Sequence, residues 1–251
     1  MIPIASVNPV AKLGAGLLVS VFLIATIDWV SATTALVLEL VVIAFMGIEP
    51  KRFWLRTLPV WVAAPLTALT ILLYGRYDGE VYFQFLLIRI SDGSIELALA
   101  TFLRVLAIGL PAVVLFISID PTDFADGLAQ RLRLPDRFVL GALAAVRMVG
   151  LFLDDWRSLE LARRARGVAD RGRIRRIAGQ GFALLVLSIR RGSKLSIAME
   201  ARGFGGDTPR TWARESRWGT AEWLTLVVGV VIGVTATVVA VLTGSWNPIV
   251  G

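Results

Sequence analysis

Apolar residues in this chain come in long blocks. Val10 to Ile27 is a nearly unbroken apolar run, closed by Asp28-Trp29, and Ser31 to Ile48 follows at once. Both approach the roughly 20 residues that a bilayer crossing requires. Their connection is too short for a domain, so they are predicted to form a helical hairpin, ended by Glu49-Pro50-Lys51-Arg52. Thr57 to Tyr74 is a third block, carrying Pro59 and Pro65; membrane helices tolerate proline where neighbours satisfy the freed backbone groups. Arg76 to Gly93 is polar at its ends, with an apolar middle, Val81 to Ile88, that is too short to span and is expected at the interface. Ile95 to Ile119 and Glu222 to Thr243 complete the set. The pattern predicts an all-α integral membrane protein with about five transmembrane helices. The first block is not followed by a small-residue cleavage site, so it is expected to remain as a span.

Residues 120–220 follow another pattern. Asp120-Pro121-Thr122 opens a short helix, with Asp120 or Thr122 as its cap. Pro135 ends it, and Phe138 to Ala165 reads as one long helix despite Gly141 and Gly150. After a break within GVADRGRIRR, Phe182 to Ala201 reads as another, apolar first and amphipathic later. The chain is thus expected to divide into N-terminal transmembrane helices (1–119), long cytoplasmic helices (120–220) and a C-terminal transmembrane helix (221–251).

Composition sharpens this picture. Of 251 residues, 56% are hydrophobic and 18% charged, against about 25% charged in soluble domains. The mean hydropathy is +0.73. The net charge of +7 is set by residues 120–220, which hold nineteen of the 26 Lys and Arg but only eleven of the 19 Asp and Glu. By the positive-inside rule this segment, and Lys51, Arg52 and Arg56, face the cytoplasm. The N-terminus is then inside and the C-terminus outside. Cys and His are both absent. That removes disulfides, thiolate chemistry, the usual zinc and haem ligands and a Ser-His-Asp triad. No glycine-rich phosphate-binding loop is present either. The chain is expected to be non-catalytic, with no cofactor of its own and no metal site.

The most basic region spells one frame twice. ARRARG at Ala162–Gly167 and AMEARG at Ala198–Gly203 both read Ala-x-x-Ala-Arg-Gly. Each sits at a predicted helix C-terminus. Gly is the preferred residue just past such an end, and Arg favours the negative end of the helix dipole. A single copy is read as a helix cap. Two copies also fit two docking plugs, in which Ala165 or Ala201 allows close approach, Arg166 or Arg202 offers a planar fork to a carboxylate, and Gly167 or Gly203 lets the backbone turn. Two plugs imply two similar sockets. Arg190, Lys194, Ala198 and Arg202 share one helix face. The arginines are 36 positions apart, about 54 Å in an unbroken helix. Glycines at 172, 179 and 181 argue instead for two helices with a turn that brings both ends to one cytoplasmic surface.

Other residues are weighed beside these. Arg104 lies within a span, where a charge faces protein or a wet cavity, or else snorkels to the interface. Glu39 raises the same question and is expected to pair locally, a proton relay being the other reading. RGRIRRIAGQ reads as a solvated cytoplasmic face, with no nucleic-acid partner. Trp212, Trp218 and Trp223 fit an interfacial belt. A stand-alone ion-coupled secondary transporter using Arg104 and Glu39 remains an alternative function, as does a membrane-anchored scaffold.

AMEARGF at Ala198–Phe204 resembles the second signature of the transmembrane T components of energy-coupling factor (ECF) transporters, and ARRARG resembles the first. NPVAKL at Asn8–Leu13 is similar to that family's opening Asp-Pro-x-x-Lys-Leu, with Asn8 where Asp is usual. Ile119–Phe138 is similar to its cytoplasmic entry segment, and Arg104 falls where the family tends to carry an intramembrane arginine. The resemblance implies the coupling subunit of an ECF-type ABC importer in a prokaryotic plasma membrane. Its partners would be two ABC-type ATPases, which bind the ATP, and a substrate-binding S component for a vitamin or metal ion. Ala165, Arg166, Gly167, Ala201, Arg202 and Gly203 would engage the ATPases, with Ala162, Ala198, Glu200 and Phe204 as the supporting face.

Overall fold

A computed structural model describes residues 7–45, 50–75, 78–85, 88–167, 172–206 and 211–247. The protein is an all-α membrane protein. Its described helices are α1 (Pro9–Ile24), α2 (Trp29–Phe45), α3 (Pro50–Tyr74), α4 (Asp92–Ile117), α5 (Pro121–Gln130), α6 (Asp136–Ala165), α7 (Arg173–Ala201) and α8 (Thr220–Leu242). Two short strands, β1 (Val81–Phe85) and β2 (Ile88–Ser91), lie between α3 and α4. The chain forms two compact units, Met1–Asp120 with Arg217–Gly251, and Pro121–Ser216.

In the first unit three helical segments are long and apolar enough to cross a membrane: Phe53–Tyr74, Asp92–Ile117 and Thr220–Leu242. The expected first two spans are apolar helices of 16 and 17 residues, at the lower limit of about 17 for a crossing. Helix α4 is central, packing on α3, α2 and α1, while α1 also runs along α8. Small residues line these contacts: Ala35, Ala107 and Ala236 join Val19, Leu23 and Ile232 in one buried cluster, and Ala64 joins Val60, Leu106 and Leu110 in another. Between membrane helices, packing of small residues replaces the hydrophobic drive available in water.

Polar contacts at both ends of α1 set helix directions. Asn8 caps α1, its Oδ1 accepting from Val10 N at 3.0 Å, and Pro9 occupies the first turn, where its missing N–H is harmless. Lys12, only 1% exposed, donates to Ser118 Oγ at 3.0 Å, at the C-terminus of α4. At the other end Arg104 of α4 donates to the Thr26 carbonyl. Helices α1 and α4 are therefore antiparallel. Asp28 closes the α1–α2 turn by accepting from Ser31 N at 2.5 Å and Ser31 Oγ at 2.8 Å.

The stretch expected as an interfacial apolar segment is an antiparallel two-stranded sheet, pairing Phe83 with Ile90 and Gln84 with Arg89. It leads directly into α4, where Ser91 and Ser94 form a reciprocal capping box.

In the second unit α5 packs on α6 through Ala125, Ala129 and Val139, with Leu143 and Trp212 against them. Arg214 pairs with Asp123 at 2.5 Å, and Gln130 both donates to the Arg214 carbonyl at 2.9 Å and accepts from Ser216 N at 2.7 Å. Helix α7 begins at Arg173, nine residues before the expected Phe182, and carries Gly179 and Gly181 inside it. Gly172, with φ of +67°, takes the break instead. The Arg163 guanidinium lies 3.1 Å from where a Gly179 Cβ would stand, so a side chain there would push it aside by a few tenths of an ångström.

Candidate coupling site

The two Ala-Arg-Gly frames end α6 and α7. Arg166 and Arg202 are the C-cap residues, and Gly167 and Gly203 follow with φ of +64° and +77°. Neither glycine has anything within 4 Å of a would-be Cβ, so it is the left-handed backbone, not space, that calls for glycine. After α7 the turn is a complete Schellman motif: Phe204 N donates to Met199 O at 2.9 Å and Gly203 N to Glu200 O at 2.9 Å. After α6 the corresponding bond runs from Gly167 N to Arg164 O at 3.0 Å. The capping reading of the glycines is therefore correct.

Capping does not use the arginine side chains. Arg166 and Arg202 are exposed, and neither forms an ion pair among the described residues. Ala162, Ala165, Ala198, Ala201 and Glu200 are exposed as well, while Phe204 is half-buried. Glu200 accepts weakly from Ser196 Oγ at 3.5 Å, and Arg164 pairs with Glu160 at 2.6 Å.

Three cross-contacts relate the helices. Arg137 donates to the Gly205 carbonyl, Asp155 meets Arg191, and Arg163 lies over Gly179. Position rises along α6 as it falls along α7, so the two form an antiparallel hairpin. The turn expected to gather both frames on one surface sets them at opposite ends of that hairpin. Arg166 and Arg202 are separated by most of the length of α6, on the order of 40 Å at 1.5 Å per residue.

The first unit holds the other two charged candidates. Arg104 contacts the α1–α2 turn through the Thr26 carbonyl. Glu39 departs from expectation. It is 4% exposed, and neither carboxylate oxygen has a hydrogen-bond partner among the described residues. Its helical neighbours at three and four positions are Ala35, Leu36, Val42 and Ile43, none able to donate. Glu39 and Lys12 are the two charged residues lining a cavity of about 220 Å³. No group of acids able to hold a metal ion occurs among the described residues.

The cobalt transport protein family, CbiQ, matches residues 3–212. The chain belongs to this family. It is 28% identical over 205 residues to the energy-coupling factor transporter transmembrane protein EcfT of Limosilactobacillus fermentum, covering 76% of each chain. Similarity to the EcfT of Bacillus selenitireducens is 25% over 237 residues, 88% of this chain and 87% of the relative. The EcfT of Bacillus subtilis is 24% identical over 185 residues, 69% of each. With the family match, these relatives place the chain among the T components of ECF transporters. They are named as transporter membrane proteins.

Proposed function

We propose that this T component couples two cytoplasmic ABC-type ATPases to a membrane S component that carries a vitamin or metal ion, and itself performs no catalysis. The carrying observation is the pair of exposed arginines, unpaired among the described residues, at opposite ends of the α6–α7 hairpin. A guanidinium in a socket carboxylate forms a bidentate, charge-assisted contact. Two such contacts tens of ångströms apart match two ATPase subunits side by side. Closure of the ATPases on ATP moves both sockets, and the hairpin then changes its inclination. The S component tilts in response and releases its cargo inside.

In this reading residues 120–220 are the cytoplasmic coupling segment of a multi-pass protein in a prokaryotic plasma membrane, flanked by the membrane parts 1–119 and 221–251. Ala162, Ala165, Ala198 and Ala201 let the sockets close on the helix ends, and Glu200 and Phe204 complete the second face. Arg104 acts inside the bundle. The family's description as a cobalt transport protein supports a metal ion as one cargo class. Truncating a buried, charge-paired arginine typically costs about 2–5 kcal/mol of binding. The test is the double charge reversal Arg166→Glu with Arg202→Glu, read by copurification of the ATPases and by ATP turnover of what copurifies. Loss of assembly or of coupled turnover is expected. A double variant that assembles and turns over as wild type rejects the proposal.

A further inference from the structure

Among the described residues, one ion pair joins the two long helices. Arg191 Nη1 lies 2.7 Å from Asp155 Oδ2, and Nη2 donates to Oδ1 at 3.2 Å. The pair is partly sheltered, with side-chain exposures of 38% for Arg191 and 22% for Asp155. The other ion pairs among the unit's described residues do different work. Arg157–Asp154 and Arg164–Glu160 stay within α6, and Arg214–Asp123 ties α5 to the returning chain.

The position of this pair is specific. Asp155 stands eleven residues before Arg166 on α6, and Arg191 stands eleven residues before Arg202 on α7. Eleven residues are about three helical turns, roughly 16 Å along the axis, and return the side chain to within about 20° of the same face. Each member of the pair therefore shares a helix face with the arginine of its own frame. Because the helices are antiparallel, the two arms run in opposite directions from the pair, at equal length.

We propose that Asp155 and Arg191 are positioning residues, the pivot that sets the facing of both arginine plugs and passes movement at one to the other. This rests on the coupling function proposed above. The pair joins one hydrogen bond, Nη2 to Oδ1, to the close Nη1–Oδ2 ion-pair approach, and such a charge-assisted contact holds only while the two side chains face each other. A helical step of 100° about either axis would carry Asp155 or Arg191 away, and the frame arginine on the same face with it. The pair thus locks the rotation of each helix to that of its partner. Movement of Arg166 by one ATPase then swings α6 against α7 about the pair and changes the span to Arg202.

The chain contains no cysteine, so spin labels can be placed without background. Labels at Leu161→Cys and Ile197→Cys, both exposed, sit five residues before each frame arginine and about 140° round the helix from it. In the copurified complex, their distance distribution is recorded without nucleotide and with ATP plus vanadate. The native pair is expected to give two distinct distances for the two states. Asp155→Asn and Arg191→Gln are expected to keep the ATPases bound and to lose that shift. The swap, Asp155→Arg with Arg191→Asp, is expected to restore it. Single variants that keep the native shift overturn the pivot, as does a folded swap that stays unresponsive. The Arg166→Glu, Arg202→Glu chain is measured alongside. If it responds like wild type, the coupling function itself fails; if it loses the response while Asp155→Asn retains it, only the pivot fails.

Discussion

The backbone N–H of Asn8 donates to Glu222 Oε1 at 3.1 Å, across 214 positions of chain. The other oxygen of that carboxylate accepts from Gly219 N at 2.7 Å. One acid thus serves the N-terminal ends of both α1 and α8, where unsatisfied amides and the helix dipoles favour a negative group. Asn8 adds a bond from Nδ2 to the Arg217 carbonyl at 3.0 Å, which an aspartate in its place could not donate. The two helices are therefore parallel and start together.

Glu222→Ala should lower stability by about 1–3 kcal/mol, the loss expected when a charged acceptor leaves one buried donor, the Asn8 amide, and one part-buried donor, the Gly219 amide. Glu222→Gln, which keeps one acceptor, should lie between. Thermal unfolding in detergent measures both, and an unchanged midpoint for the alanine variant would show that the clamp contributes nothing.

Gly203 offers a test of the helix end apart from the arginine. Its φ of +77° is strained for an L side chain by roughly 1–2 kcal/mol. Gly203→Ala should therefore speed hydrogen exchange of the Phe204 amide by about tenfold, while Gly203→Asn, which tolerates this backbone, should change it less. Equal exchange in the two variants would contradict the assigned cap.

The β1–β2 hairpin carries a pH-dependent contact. Tyr82 Oη donates to Asp92 Oδ1 at 2.8 Å. That hydrogen bond, then the charge of Asp92, then slight burial raise the phenol above its ordinary value of 10.0. The contact needs the protonated phenol, so it is complete below the ordinary value and is lost as pH climbs through the raised one. Phenolate absorbance, taken as wild type minus Tyr82→Phe, should give a midpoint above that of free tyrosine, and Asp92→Asn should bring it down. A midpoint that Asp92→Asn leaves in place would remove Asp92 as the cause.

Long apolar blocks have few alternative readings, and so α4 and α8 lie within three residues of the expected Ile95–Ile119 and Glu222–Thr243. Val81–Ile88 hid its strands because a continuous apolar run masks the alternation that marks a sheet. The start of α7 is hidden by Gly179 and Gly181, which read as breakers; the Arg163 guanidinium lies against Gly179, while nothing stands within 4 Å of a would-be Cβ at Gly181. At the site, repetition made Arg166 and Arg202 visible, and Gly167 and Gly203 identified themselves as caps. Their wide separation follows from helix direction, which no short motif carries. Asp155 and Arg191 could not be singled out in a segment crowded with acids and bases. Glu39 was expected to find a partner, yet every helical neighbour within reach is apolar.

Photo-crosslinking from the two frame positions tests the coupling function most directly. Arg166→Cys and Arg202→Cys, each the sole cysteine in its chain, are labelled with benzophenone and irradiated in membranes containing the whole transporter. Both positions are predicted to give adducts with ATP-hydrolysing subunits. An intact, ATP-hydrolysing complex in which neither position captures such a subunit would contradict it.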